Sequence, residues 1–184
     1  MSKPEIYRSD EDWGRGNGRI NPEATNNPYK GVADSKKVQR IDFGVMPVIT
    51  LYQPWASWII RGWKTIETRT HARFKSLKGR RILIHAGKTT DKSDIALHNP
   101  YLSASQIAHR PSHYVNGCII GSALVYDCRW LDERDSKHAL IECFFENRYG
   151  LFLTEVLVFS EPIKESGERG IWYYDISKKK RALK

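Results

Sequence analysis

Cysteine is scarce in this sequence: Cys118, Cys128 and Cys143 are the whole supply, and no C-x-x-C pair occurs. Their spacings argue against a zinc ribbon and for reduced thiols. No stretch approaches the ~20 apolar residues of a bilayer span. The opening "MSKPEIYRSDEDWGRG" has no apolar signal core. These absences set the expectation of a soluble, cytoplasmic protein with no membrane partner. The six histidines do not group into a metal motif. His109 and His113 have the spacing of a helical metal pair, but Pro111 between them breaks the helix, and His85 and His98 stand apart. Neither a metal nor a cofactor is expected, and no internal repeat stands out.

Charge, by contrast, is abundant and unevenly placed. The net charge is +9 over 184 residues. Residues 1–44 carry a net +1, and the tail Lys178–Lys184 carries +5. Within the body, residues 61–92 hold ten basic and two acidic side chains, so the second half of the body is acidic. Such segregation favours an anionic partner, RNA or DNA, on one surface. Solvated lysine-rich loops are the plainer alternative.

With 40% hydrophobic residues the chain can bury the core of one domain. Residues 1–45, with "GRGNGR" and "NPEATNNPYKG", read as a polar, flexible extension. The domain is expected over residues 46–177, followed by a basic tail at 178–184. "VITLY" reads as a strand. "PWASWIIRG" reads as a helix over 54–61, with proline in its first turn and Gly62 at its end. "KTIETRT" alternates as a strand does, with Glu67 and Arg69 on one face. "RFKSLKG" reads as a basic loop and "RRILIHAG" as a buried strand, with helical turns in "DKSDIALH" and "SASQIAHR". "GCIIGSALVYDCRWL" reads as a long strand bent at Gly121. "DERDSKH" is expected as a loop, "ALIECFF" as a strand, "YGLFLTEVLVFSEPI" as a strand stopped by its proline, and "GIWYYDI" as the last strand. The fold expected is α+β and mainly β: a small closed or half-closed β-barrel with peripheral helices.

Several of these segments, "QPWAS", "RGWKTIETR", "KGRRILIHAG", "GCIIGSALVYDC", "YGLFLTE" and "PIKESGERGIW", occur in the order seen in ASCH domains. The chain therefore resembles that family of the PUA-like superfamily over roughly Pro47 to Asp175. The resemblance implies a PUA-like barrel with a cleft beside the first helix and a link to RNA or other nucleic acid. In some members it also implies hydrolysis of acylated cytidines or cleavage of RNA.

Within that frame Lys64, Glu67 and Arg69 are expected to form the polar floor of the cleft, with Tyr52, Gln53 and Trp55 at its wall. Two cations around a carboxylate hold it ionised. They can equally grip a phosphate, Arg69 bidentately, or simply brace strand against helix. Trp55, beside Pro54, is the candidate to stack a base, and Trp58 is expected in the core. Gln53 has both donor and acceptor for a base edge, or for a helix cap. Arg169, flanked by glycine in "ESGERGIW", is a further anion contact, or part of a turn. Ser57, Ser122 and Tyr126 have no evident partner base.

Lys64 and Glu67 are the candidate catalytic pair if the chain is an amidohydrolase or ribonuclease. The deacylating members, however, place a threonine where Glu67 stands. Binding of RNA or a modified nucleoside without turnover is therefore the leading expectation. A protein-interaction module in transcription is the remaining alternative.

Overall fold

The β-branched run around Ile49 forms β1 (Val45–Gln53), whose residues are buried on both faces over 46–49. In the computed structural model the described residues are 44–108, 114–142 and 148–178. The N-terminal extension to residue 43, His109, His113, Cys143 and the tail beyond Lys178 lie outside them. After β1 come α1 (Trp55–Ile60), β2 (Ile66–Arg69), a 3₁₀ helix (Ala72–Leu77) and β3 (Arg81–Thr90). Then follow α2 (Asp94–Leu97), α3 (Ala104–Ala108), β4 (Cys118–Trp130), a short 3₁₀ turn (Glu133–Asp135), α4 (Ser136–Ala139), β5 (Tyr149–Lys164) and β6 (Ile171–Asp175).

The strands make one six-stranded sheet in the order β2-β5-β4-β3-β1-β6. Among the described residues only β1 and β3 pair in parallel, which a connection long enough to hold α1 and β2 permits. The result is the mainly β, α+β fold expected. Its edges, β2 and β6, do not pair with each other among the described residues, so the sheet is not closed into a barrel.

Alternation along the strands divides the apolar residues between two faces. On one, Ala56, Ile59 and Ile60 of α1 pack with Ile49, Leu51, Ile82, Ile84 and Ile120. On the other, Val48, Leu83, Ile119 and Ile163 pack around Trp172. Gly121 marks the irregularity expected in β4, where the register with β5 shifts between Ile119 and Gly121. A Cβ there would collide with the Leu157 carbonyl of β5 and lie 2.6 Å from Ile60 Cδ1, so the close approach of β5 to β4 requires glycine.

Four segments depart from expectation. "RFKSLKG" is largely a 3₁₀ helix, because Phe74 and Leu77 three residues apart both reach the core. The 132–139 segment is helical rather than a loop. Asp132 starts it with a capping box: its side chain accepts the Arg134 N–H while Asp135 accepts the Asp132 N–H. "ALIECFF" does not begin as a strand, since Ala139 ends α4 and Leu140 is left-handed with φ 56°; residues 143–147 lie outside the description. Pro162 does not stop β5, which runs on to Lys164. β2 pairs with β5 only over residues 149–152. Beyond that β5 has a side that β2 leaves unpaired, where a residue lacking N–H is tolerated.

Candidate functional site

Helix α1 places the first residues of the site through the way it ends. Arg61 is its C-cap and Gly62 follows at φ 72°. The Trp63 N–H donates to Trp58 O at 2.9 Å and the Gly62 N–H to Ile59 O at 2.9 Å. That pair of bonds is a Schellman closure, which glycine's freedom at positive φ allows. It turns the chain back so that Lys64 points under α1.

Lys64 is 2% exposed. Its Nζ donates to the Ala139 carbonyl at 2.6 Å, meeting the end of α4, and lies 3.7 Å from Glu67 Oε2. Glu67 in turn accepts from Arg69 Nη1 at 2.9 Å. The guanidinium of Arg69 rests over the Phe74 ring, 4.9 Å from its centroid. Its Nε is buried without a hydrogen-bond partner. The lysine, glutamate and arginine of the motif thus form one chain of charge, and Arg69, at its outer end, retains a donor.

Aromatic groups stand beside this chain. The Lys64 ammonium is 5.4 Å from the Trp55 ring centroid. Trp55 packs edge-to-face on Trp58 at 4.8 Å, and its indole N–H donates to Asp91 Oδ2 at 2.8 Å. Partial burial pushes the Asp91 carboxyl up, but hydrogen bonds from the Ser93 N–H and the Trp55 indole outweigh it and hold the group below its ordinary value. An ionised carboxylate therefore fixes the orientation of the ring. Trp58, 1% exposed, is core as expected.

Around these groups opens a cleft of about 800 Å³. Of the residues proposed from sequence, it brings together Tyr52, Trp55, Lys64, Glu67, Arg69 and Arg169. Gln53 does not join them. It is fully buried; its oxygen accepts from the Ser57 N–H and Oγ, and its NH₂ donates to the Val115 carbonyl at 2.8 Å. Its side chain closes the first turn of α1, which is the capping role. Ser57 is spent on that contact, Ser122 lies within 3.3 Å of Arg81 Nη1, and Tyr126 is exposed on β4. None of the three lines the cleft. Burial pushes the Cys118 and Cys128 thiols above their ordinary value, away from nucleophilic use. Among the described residues no group of three or more His, Cys, Asp or Glu is placed to hold a metal ion.

The cleft also has walls that sequence reasoning missed: His71 and Phe74, Asp91, Glu142, Arg148 and Glu168. The spacing of "RTHARF" carried a faint signal for the first two, since they follow the motif directly. The others arrive from distant segments. Glu168, Arg169 and Gly170 also line the cleft, and the Glu165 carbonyl shortly before them meets His85. The His85 ring is buried, lies 3.1 Å from the Glu165 carbonyl through Nε2, and meets Trp172 edge-to-face at 5.6 Å. Burial lowers its pKa, with Glu165 opposing the shift.

The model of the ASCH domain family matches residues 49–173 of this sequence. Among solved structures, the chain is similar to an ASCH protein from Zymomonas mobilis at 16% identity and a TM-score of 0.47, over 74% of this chain and 92% of that one. Two point mutants of that bacterial protein match at 17% identity and TM-scores of 0.47, again over 74% of this chain and over 94% and 96% of theirs. No curated protein matches the sequence.

Proposed function

The chain belongs to the ASCH domain family, and from that premise we propose that its cleft binds a nucleobase or modified nucleoside, most naturally as part of an RNA strand. One observation carries this reading: the fixed Trp55 ring and the guanidinium of Arg69, whose buried Nε has no hydrogen-bond partner, belong to residues lining the same cleft of about 800 Å³. That volume lies within the usual range for small-ligand sites, roughly 300–1,000 Å³. A pinned aromatic face suits base stacking, and a buried guanidinium donor without a partner suits a phosphate or carbonyl oxygen.

The wall charges refine the picture. Lys64, Arg69, Arg148 and Arg169 are offset by Glu67, Asp91, Glu142 and Glu168, so the cleft is not a bare anion trap. Carboxylates accept from the amino edge of a base while the arginines take phosphate. Lys64 and Glu67 act within this reading as a buried support that orients Arg69. A cytoplasmic setting, where RNA and nucleotides are at hand, belongs to the same proposal.

The test is a titration of the full chain with a short fluorescein-labelled single-stranded RNA at low salt, read by anisotropy. Saturable binding that weakens about tenfold or more in Arg69→Ala, as expected for losing a hydrogen bond to a charged group, supports the reading. Absence of binding to RNA and to ribonucleosides overturns it.

A further inference from the structure

A second aromatic group lies in register with the cleft. Arg69 of β2 pairs with Tyr149 of β5, and Tyr149 pairs with Trp130 of β4. Directly opposed residues share a face of a sheet. Arg69, Tyr149 and Trp130 are therefore one rung on one face, and two strand spacings of about 4.8 Å separate its ends. The inner end is in the cleft. The outer end is Trp130, which remains 51% exposed although it rests on Tyr149 with ring centroids 3.9 Å apart. A tryptophan half open to water, backed by another ring, contributes little to the core and presents a ready π surface.

The charge beside it has the sign a nucleic acid needs. The Lys75 ammonium lies over the Tyr149 ring, 4.9 Å from its centroid. Lys75 follows Phe74, which lines the cleft, on the same 3₁₀ helix. Three of the four carboxylates between residues 127 and 135 are neutralised: Asp127 by Lys78, Asp132 by Arg134, and Asp135 by Arg129. A strand leaving the cleft along this rung passes from Arg69 across Lys75 to Trp130 without crossing an unopposed acidic wall.

We infer that Trp130 and Lys75 form an outer platform, on which a second base of a single-stranded nucleic acid stacks while Lys75 contacts the adjoining phosphate. This rests on the reading of the cleft given above and extends it from a nucleoside to a strand. An aromatic platform requires a base free of its partner, so the occupant is single-stranded rather than duplex.

The experiment compares Trp130→Ala, Trp130→Phe, Lys75→Ala and Trp55→Ala with the wild-type full chain, using a 12-nucleotide single-stranded RNA and a ribonucleoside monophosphate. Trp130→Ala is expected to weaken the 12-mer about fivefold to a hundredfold, the range for losing one base–aromatic stack. Trp130→Phe should restore most of that, and affinity for the mononucleotide should not change. Lys75→Ala should lower the slope of log affinity against log salt by about 0.7, the share of one phosphate on a single strand.

If only Trp55→Ala weakens the 12-mer, the platform is refuted and the cleft reading stands. If only Trp130→Ala does, the platform stands and the cleft reading fails. Failure of the wild-type chain to bind the 12-mer, or an equal loss for the mononucleotide in Trp130→Ala, overturns the platform.

Discussion

The ammonium of Lys64 and the carbonyl oxygen of Ala139 are 2.6 Å apart in a part of the molecule where Lys64 is 2% exposed. This bond ties the end of α1 to the end of α4, and it gives the lysine of the motif a structural duty. Lys64→Ala would leave the Ala139 carbonyl unmet and remove one of the two cations at Glu67. Breaking a buried charge contact of this kind costs about 3 kcal/mol. The urea unfolding midpoint should fall accordingly, with an unchanged slope. A midpoint equal to wild type would show that the contact is replaceable.

Stability should also depend on His85. Burial lowers its folded-state pKa below the ordinary 6.5, so the unfolded chain binds the proton more readily. The stabilisation is complete above pH 6.5 and is lost as pH falls from there toward the folded value. Thermal melts between pH 7.5 and 5.5 should show the midpoint dropping on the acid side, and His85→Gln should flatten that drop. Equal slopes in both proteins would contradict the assignment.

Gly167 connects His85 to the cleft wall. A Cβ at this position would collide with the His85 ring and lie 2.8 Å from Thr50 Oγ1. Gly167→Ala should therefore displace the segment that carries Glu168 and Arg169. RNA affinity should fall several-fold, while the melting temperature shifts by only a few degrees, since an overpacked site costs about 1–3 kcal/mol. Wild-type affinity in this variant would remove Arg169 from the binding surface.

Binding should be strongly salt-dependent. Residues 61–92 carry a net +8, and Lys178–Lys184 add +5. Each phosphate neutralised on a single strand adds about 0.7 to the slope of log affinity against log salt. Deleting Lys178–Lys184 should weaken binding to all sequences about equally and reduce that slope. Affinity that does not change with salt would rule out the electrostatic part of the account.

What could be read in advance, and what could not, follows from where the information lies. The contiguous stretch from Tyr52 to Arg69 announced itself, because helix period, a closing glycine and a strand alternation succeed one another within it. Lys64, Glu67 and Arg69 were legible for that reason. Asp91, Glu142 and Arg148 were not, since they reach the cleft through β3, the turn after α4 and the start of β5, and only the sheet register brings them there. Gln53 shows the limit of residue type: an amide suits a base edge and a helix turn equally, and burial decided for the turn. Pro162 shows another, because whether a proline ends a strand depends on whether its neighbour strand is still present. The exposure of Trp130 likewise depends on β5 supplying Tyr149 beneath it, which no local pattern encodes.

The proposed stacking of a base on Trp55 has a direct readout in the indole N–H that Asp91 holds. In ¹⁵N-labelled full-length protein the Trp55 indole signal can be assigned by its loss in Trp55→Phe. Titration with a ribonucleoside monophosphate and with short single-stranded RNA should move that signal saturably, with the buried Trp58 indole shifting far less. A Trp55 signal that stays in place while either ligand binds elsewhere on the protein would contradict the account.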